Sequence, residues 1–213
     1  MMNPKTSTSV IVGVFALMTV AGAAQGAIMI GSNAASGVGN TNSTFTGTID
    51  YAPQTSTTGL LTIVLTNTSN VALNSRLTAF VFNAGSAASP SSLLLTAVGA
   101  TVSNISGGSA SPFGSTFVGG AGVGGQFEGG GNPSSGISPG QTGTFTFRIT
   151  TASAPTLSAS DFLSGPYAQN FVVRFRGLSD GSSSKIPAVL VPTPGTGALA
   201  LVGVLTMSRR KRA

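Results

Sequence analysis

Apolar and polar residues alternate along most of the chain with a period of two, which is typical of strands that bury one face. The alternation is clearest in "TFTGTIDY" (44–51), "LLTIVLTN" (60–67), "GTFTFRIT" (143–150) and "NFVVRFRG" (170–177). It predicts the following inward residues: Phe45, Ile49, Tyr51, Leu61, Ile63, Leu65, Phe145, Phe147, Ile149, Phe171, Val173 and Phe175. Arg148, Arg174 and Arg176 are then expected on the solvent face.

Polar turn segments separate these strands, and no helical stripe competes with them between residues 28 and 186. Several short strands with such turns predict an all-β fold, a single antiparallel β-sandwich over 28–186. Residues 107–143 are rich in Gly, Ser and Pro. A loosely ordered loop joining two sheets is expected there, and a ligand-binding loop is the alternative.

The N-terminal segment, residues 1–27, has the three parts of a secretory signal peptide. Lys5 lies in a polar start, Val10 to Val20 form an apolar stretch, and "AGAAQGA" (21–27) offers small residues for cleavage after Ala24, Gly26 or Ala27. A membrane anchor is the alternative, but the apolar stretch is well short of the roughly 20 residues that span a bilayer. We therefore expect an N-terminal signal helix that is removed on export.

The net charge of +6 is concentrated at the ends of the chain. The C-terminal cluster, consisting of Arg209, Arg210, Lys211 and Arg212, supplies four positive charges and Lys5 supplies one, which leaves +1 for the rest. A nucleic-acid-binding domain normally carries a basic face of its own. No nucleic-acid partner is therefore expected.

The residue types that carry most catalysis and metal binding are scarce. The chain contains no His and no Cys, which excludes a Ser-His-Asp triad, a histidine base and thiolate metal ligands. Only four carboxylates remain to form a glycosidase-like pair or a calcium site: Asp50, Glu128, Asp161 and Asp180. They are dispersed, and Asp180 precedes a glycine in an ordinary turn. The sequence predicts a noncatalytic protein with no cofactor and no metal site.

The C-terminal segment, residues 187–213, is a short apolar run between a proline pair and a basic cluster. Gly195 to Met207 is 13 residues long. As a helix this run is about 20 Å long, against about 30 Å for the hydrocarbon core of a bilayer. Its apolar residues cover all helix faces, which disfavours a peripheral or core helix. The basic residues 209–212 are expected to stay on the cytoplasmic side and to stop transfer of a short membrane helix.

Taken with the signal peptide, this tail resembles the PEP-CTERM sorting signal of proteins that Gram-negative bacteria export. The matching residues are Pro192, Thr193 and Pro194, the apolar run and the basic cluster, with Thr193 where the family motif has Glu. The resemblance implies an exosortase-type processing enzyme as partner and cleavage near the proline motif. It also implies attachment to the inner membrane during export, and a cell-surface or extracellular destination.

Two functions remain open for the domain itself. The favoured one is a noncatalytic cell-surface or extracellular-matrix protein that contacts other polymers. The alternative is a carbohydrate-binding or adhesive module in which Tyr51, Tyr167 or an exposed Phe stacks on an extracellular polysaccharide. The chain has no Trp and only two Tyr, which weakens the alternative.

Overall fold

The computed structural model describes residues 25–192. Within this range the fold is all-β and antiparallel, as predicted, and the longest helix has five residues. None of the helices in that range is long and apolar enough to cross a membrane. The predicted signal helix and the predicted C-terminal membrane helix fall on residues outside it.

Eleven strands and six short 3₁₀ helices make up the domain. The strands are β1 Gln25–Ser32, β2 Val38–Gly39, β3 Phe45–Pro53, β4 Thr58–Asn67, β5 Arg76–Phe82, β6 Ser91–Val98, β7 Ser103–Ile105, β8 Gly119–Gly122, β9 Thr142–Thr150, β10 Phe171–Arg176 and β11 Ser184–Val191. The 3₁₀ helices are Ala34–Ser36, Val71–Leu73, Val123–Gly125, Pro133–Ser135, Ala154–Thr156 and Ala159–Leu163.

The strands form one sheet in the order β6-β9-β4-β3-β1-β11-β10-β5-β8-β7, with β2 paired to β11. We call β6-β9-β4-β3-β1 layer A and β10-β5-β8-β7 layer B. β11 belongs to both layers, because its first half, Ser184–Pro187, pairs with β10 and its second half, Ala188–Val191, pairs with β1. The sheet therefore rolls around its core, and its two end strands, β6 and β7, come near one another without pairing.

The strands extend beyond the predicted domain limits at both ends. β1 begins at Gln25, inside the segment predicted as signal peptide, and β11 ends at Val191, five residues past the predicted boundary at 186. The reason is pairing: β11 pairs with β1 from Met29 opposite Val191 to Ser32 opposite Ala188, and the start of β1 pairs with β3, with Gln25 opposite Tyr51.

The main core lies between the layers, and every inward residue named from the alternation is buried. Phe80 on β5 is central, with its ring 4.8 Å from Phe145 of layer A and 5.8 Å from Phe171 on β10. Burial of such a side chain stabilises the fold by about 1.5–3 kcal/mol. The core aromatic residues therefore join the layers.

The glycine-rich segment, residues 107–143, is not the loosely ordered loop that its composition suggested. Its centre forms β8, which pairs with β5 on one side and β7 on the other. A side chain at Gly120 would meet the Phe80 carbonyl oxygen at 2.1 Å, so the close approach of the two strands requires glycine.

The same segment covers the outer face of layer B. Phe117 and Phe127, both from the segment, pack there with Val81 and Val172 in a second cluster, which we call the outer cluster. Every residue of β5 after Arg76 is consequently buried, whereas a strand with one solvated face alternates buried and exposed residues.

Candidate functional site

The predicted processing motif begins where the described fold ends. β11 ends at Val191, and the next residue, Pro192, is exposed. Thr193, Pro194, the apolar run and the basic cluster, Arg209, Arg210, Lys211 and Arg212, lie outside the described residues. Only the first residue of the motif is therefore described.

Tyr51, one of the two predicted sugar-stacking residues, is wholly buried. Its hydroxyl donates a hydrogen bond to the Ala154 carbonyl oxygen at 3.0 Å, and its ring lies 5.3 Å from that of Phe162. Burial raises the pKa of the hydroxyl. This burial agrees with the alternation of β3, which predicts Tyr51 on the inward face. The alternative prediction, that Tyr51 stacks on a sugar ring, is wrong for this fold.

Tyr167, the other predicted stacking residue, is half-buried and organises the glycine-rich segment. Its ring lies 5.4 Å from that of Phe117, and a side chain at Gly114 would come within 2.4 Å of it. Its hydroxyl oxygen accepts hydrogen bonds from the backbone N–H groups of Ser115 and Thr116 at 3.2 and 2.9 Å. The Ser115 hydroxyl also bonds to it, and together these contacts lower the pKa of Tyr167. The ring of Tyr167 therefore packs against Phe117, and its hydroxyl oxygen stabilises the turn at Ser115 and Thr116.

Two pairs of like charges face one another across the strands of layer B. Arg174 lies opposite Lys185, and Arg176 lies opposite Arg76. Such pairs repel unless an acceptor lies between them. Glu128 of the glycine-rich segment meets the first pair, with a carboxylate oxygen 3.0 Å from the Arg174 guanidinium and 2.7 Å from the Lys185 ammonium.

The segment supplies further acceptors to the same cations. Arg174 donates to the Phe127 carbonyl oxygen at 2.8 Å, Arg176 donates to the Gly130 carbonyl oxygen at 2.6 Å, and Arg76 donates to the Ser138 hydroxyl. Burial lowers the pKa of Arg174 more than Glu128 raises it. Arg174 and Arg176 lie on the outer face of β10 as predicted, but they are half-buried and not solvent-exposed, because the glycine-rich segment covers them. Arg148, in contrast, is exposed on β9.

Two of the other acidic residues, Asp161 and Asp180, have local structural roles. Asp161 closes a capping box, accepting from the Ser158 N–H at 2.8 Å and from its hydroxyl at 2.7 Å. Asp180 accepts from the Ser182 N–H at 2.9 Å and from the Asn40 side chain at 3.0 Å. Among residues 25–192 no three acidic, His or Cys side chains come together in a possible metal site.

The open edge of the rolled sheet forms two shallow grooves, of about 490 and 400 Å³, beside β6. Side chains bridge the gap between the unpaired strands. The Leu94 N–H donates to the Asn104 side-chain oxygen at 2.8 Å, and the Ser92 hydroxyl donates to the Val118 carbonyl oxygen at 3.2 Å. Hydroxyl and aliphatic groups line both grooves, with Asn104 in the first and Phe117 in the second, and neither lining includes a titratable side chain.

Comparison of the chain with protein-family models, with curated proteins and with solved structures gave no match. The placement of the chain's own residues therefore has to carry any functional conclusion.

Proposed function

We propose that the protein is an exported, noncatalytic cell-surface or extracellular-matrix protein of a Gram-negative bacterium. Its C-terminal segment would anchor it temporarily to the inner membrane until an exosortase-type enzyme cuts near the Pro192, Thr193 and Pro194 motif. The domain would be the stable cargo, an antiparallel β-sandwich whose two layers share β11.

One observation carries this proposal: the last strand leads directly into the proline motif. Pro192 follows β11 immediately and is exposed. The residue before a proline favours extended backbone, which is the form that proteases bind. A cut after Pro192 would leave every hydrogen-bonded strand intact, so processing and folding do not conflict.

The domain suits a contact role better than a catalytic one. Glu128, Asp161 and Asp180 serve ion pairs, a cap and a turn, as described above. On the three central strands of layer A, β9, β4 and β3, the outer face is mostly threonine, with Thr142 opposite Thr66 and Thr66 opposite Thr46, and Asp50 and Arg148 are its charged residues. A nearly uncharged hydroxyl and methyl face of this kind is suited to weak contact with neutral polymers.

The carbohydrate-binding alternative is less well supported, because both tyrosines are engaged in packing. Neither Tyr51 nor Tyr167 offers a free ring face at a groove. If the protein binds a polysaccharide, the threonine face is a better candidate than an aromatic platform.

The processing step can be tested in a Gram-negative host with and without a gene for an exosortase-type enzyme. Replacing residues 209–212 with Gln is expected to reduce membrane retention and processing, because the stop-transfer charges are lost. The matched control replaces Arg148, which is basic and exposed but belongs to the domain, with Gln. Unchanged processing and surface delivery in the tail variant would contradict the proposal.

A further inference from the structure

The end of β11 carries apolar side chains that nothing in the described fold covers. Val189, Leu190 and Val191 are 45%, 50% and 38% exposed, and Met29 on the neighbouring strand is 42% exposed. We call these four residues the exit cluster, because the chain leaves the fold at this point.

The exit cluster is apolar on both faces of its strand. Met29 lies opposite Val191 on one face, while Leu190 lies opposite Ile30 on the other. Strands that are apolar on both faces are normally covered on both faces. Adjacent exposed apolar side chains mark an interaction site. The neighbours of Met29 and Gly31 across β3 are Thr48 and Thr46, so the outer surroundings are neutral.

The distance to the apolar run limits what can cover the cluster. Four peptide units separate Val191 from Gly195, the first residue of the run. Four residues span at most about 14 Å when fully extended. The headgroup region on each side of a bilayer is about 5–8 Å thick. If the run is in the membrane, the exit cluster is therefore within reach of the interface.

The N-terminal end of β1 points in the same direction as the C-terminal end of β11. β1 is antiparallel to β11, so its first residue, Gln25, lies beyond Val191 on the side where the chain exits. Gln25 pairs with Tyr51, which is near one end of β3, whereas Phe45 at the other end pairs with Asn67. Val191, by way of Met29, is level with Thr48 near the middle of β3, and both chain ends run from there toward the Tyr51 end of that strand.

We propose that the exit cluster is a lipid-docking surface, which rests on the membrane interface while the tail holds the chain. This inference rests on the proposed function, because the tail must be in the membrane first. The cluster contains no charge, so its contact is with the acyl-chain boundary rather than with anionic headgroups. Docking would hold the proline motif at a fixed height above the bilayer.

The absence of Trp from the chain allows a direct test with single Trp reporters. The full-length chain is reconstituted into vesicles of phosphatidylethanolamine and phosphatidylglycerol with brominated acyl chains, which quench Trp at the interface. Three variants are compared: Val191→Trp in the exit cluster, Val202→Trp in the tail and Val71→Trp as control. Val71 is 76% exposed and follows β4 at the Phe45 end of β3, away from the exit.

Val191→Trp is expected to be quenched at least about threefold more than Val71→Trp, as interfacial burial requires. Adding Val189→Ser and Leu190→Ser should lower that quenching by about half, which guards against insertion driven by the Trp itself. High salt should leave it unchanged. If Val202→Trp is quenched and Val191→Trp matches Val71→Trp, docking is wrong and the tail proposal stands. If Val202→Trp is not quenched either, both proposals fail.

Discussion

Glu128 of the glycine-rich segment lies 3.0 Å from the guanidinium of Arg174 on β10. The guanidinium is 12% exposed and the carboxylate 42% exposed, so the pair is at the edge of the outer cluster. The same carboxylate also binds Lys185, which lies opposite Arg174 on the neighbouring strand and carries the same charge. One acidic side chain thus fixes a long segment to layer B and separates two cations.

Replacing Glu128 with Gln should destabilise the domain by about 1 kcal/mol, because Arg174 and Lys185 then repel without a counter-charge. The value is at the upper end for a partly exposed pair. Urea unfolding measures it, and the difference should shrink in high salt. Asp50→Asn is the matched control, since Asp50 is an exposed carboxylate on β3, and a change within about 0.5 kcal/mol is expected. Equal effects of the two variants would contradict the bridging role of Glu128.

Replacing Phe127 with Ala should cost about 3–5 kcal/mol, because its side chain is 3% exposed and leaves a cavity in the outer cluster. The variant should also expose residues 107–143 to limited proteolysis, detected by mass spectrometry of the fragments. The account is contradicted if the protease already cuts the wild-type protein throughout residues 107–143. It is also contradicted if Phe127→Ala lowers the free energy of unfolding by less than about 1 kcal/mol.

Replacing Tyr51 with Phe should destabilise the fold by about 1–2 kcal/mol, because the buried Ala154 carbonyl loses its donor. Thermal unfolding measures the loss. Tyr167→Phe is the comparison, and its effect should be smaller, since its hydroxyl serves backbone groups of an exposed turn that water can reach. A Tyr51→Phe domain as stable as wild type that loses affinity for a polysaccharide would restore the ligand-binding interpretation.

Asp161 should make the stability of the domain sensitive to acid. Burial acts to raise its pKa, but hydrogen bonds from Ser86 and Ser158 outweigh this and lower it. A lowered folded-state pKa contributes stability above the unfolded pKa, and the contribution is lost as the pH falls below about 4. Asp161→Asn should cost about 1 kcal/mol at neutral pH, because the hydrogen bonds from Ser86 and Ser158 no longer go to a charged acceptor, and the gap to wild type should close in acid. A gap that does not depend on pH would contradict this account.

The alternation of side chains predicted the strands that form the main core. It was sufficient for β3, β4 and β9, because each buries one face and the inward residues are large, and it gave the inward residues of β10, whose outer face is covered as well. It failed for β8, where Gly119, Gly120 and Gly122 carry no side chain that could alternate. The pairing of β8 is decided by the approach of β5, which no local pattern encodes.

The candidate site was less predictable than the fold. The role of Glu128 depends on Arg174 and Lys185, which are 46 and 57 residues away in the chain. Two signals in the sequence could have suggested this role. Glu128 is the only charged residue in the glycine-rich segment, and Arg174 and Lys185 lie on neighbouring strands. The start of β1 was hidden for another reason. Small residues before Ile28 look like a cleavage site, and the pairing of Gln25 with Tyr51 on β3 is a tertiary contact.

The intact mass of the protein recovered from the surface or medium of an exosortase-containing Gram-negative host tests the central claim most directly. We expect one mature species that begins at Gln25, so that β1 is complete, and that ends close to Pro192–Pro194, after β11. In the same host without the enzyme, the tail should remain and the protein should stay with the inner membrane. A recovered species that still carries residues 195–213, or an identical mass with and without the enzyme, would contradict the account.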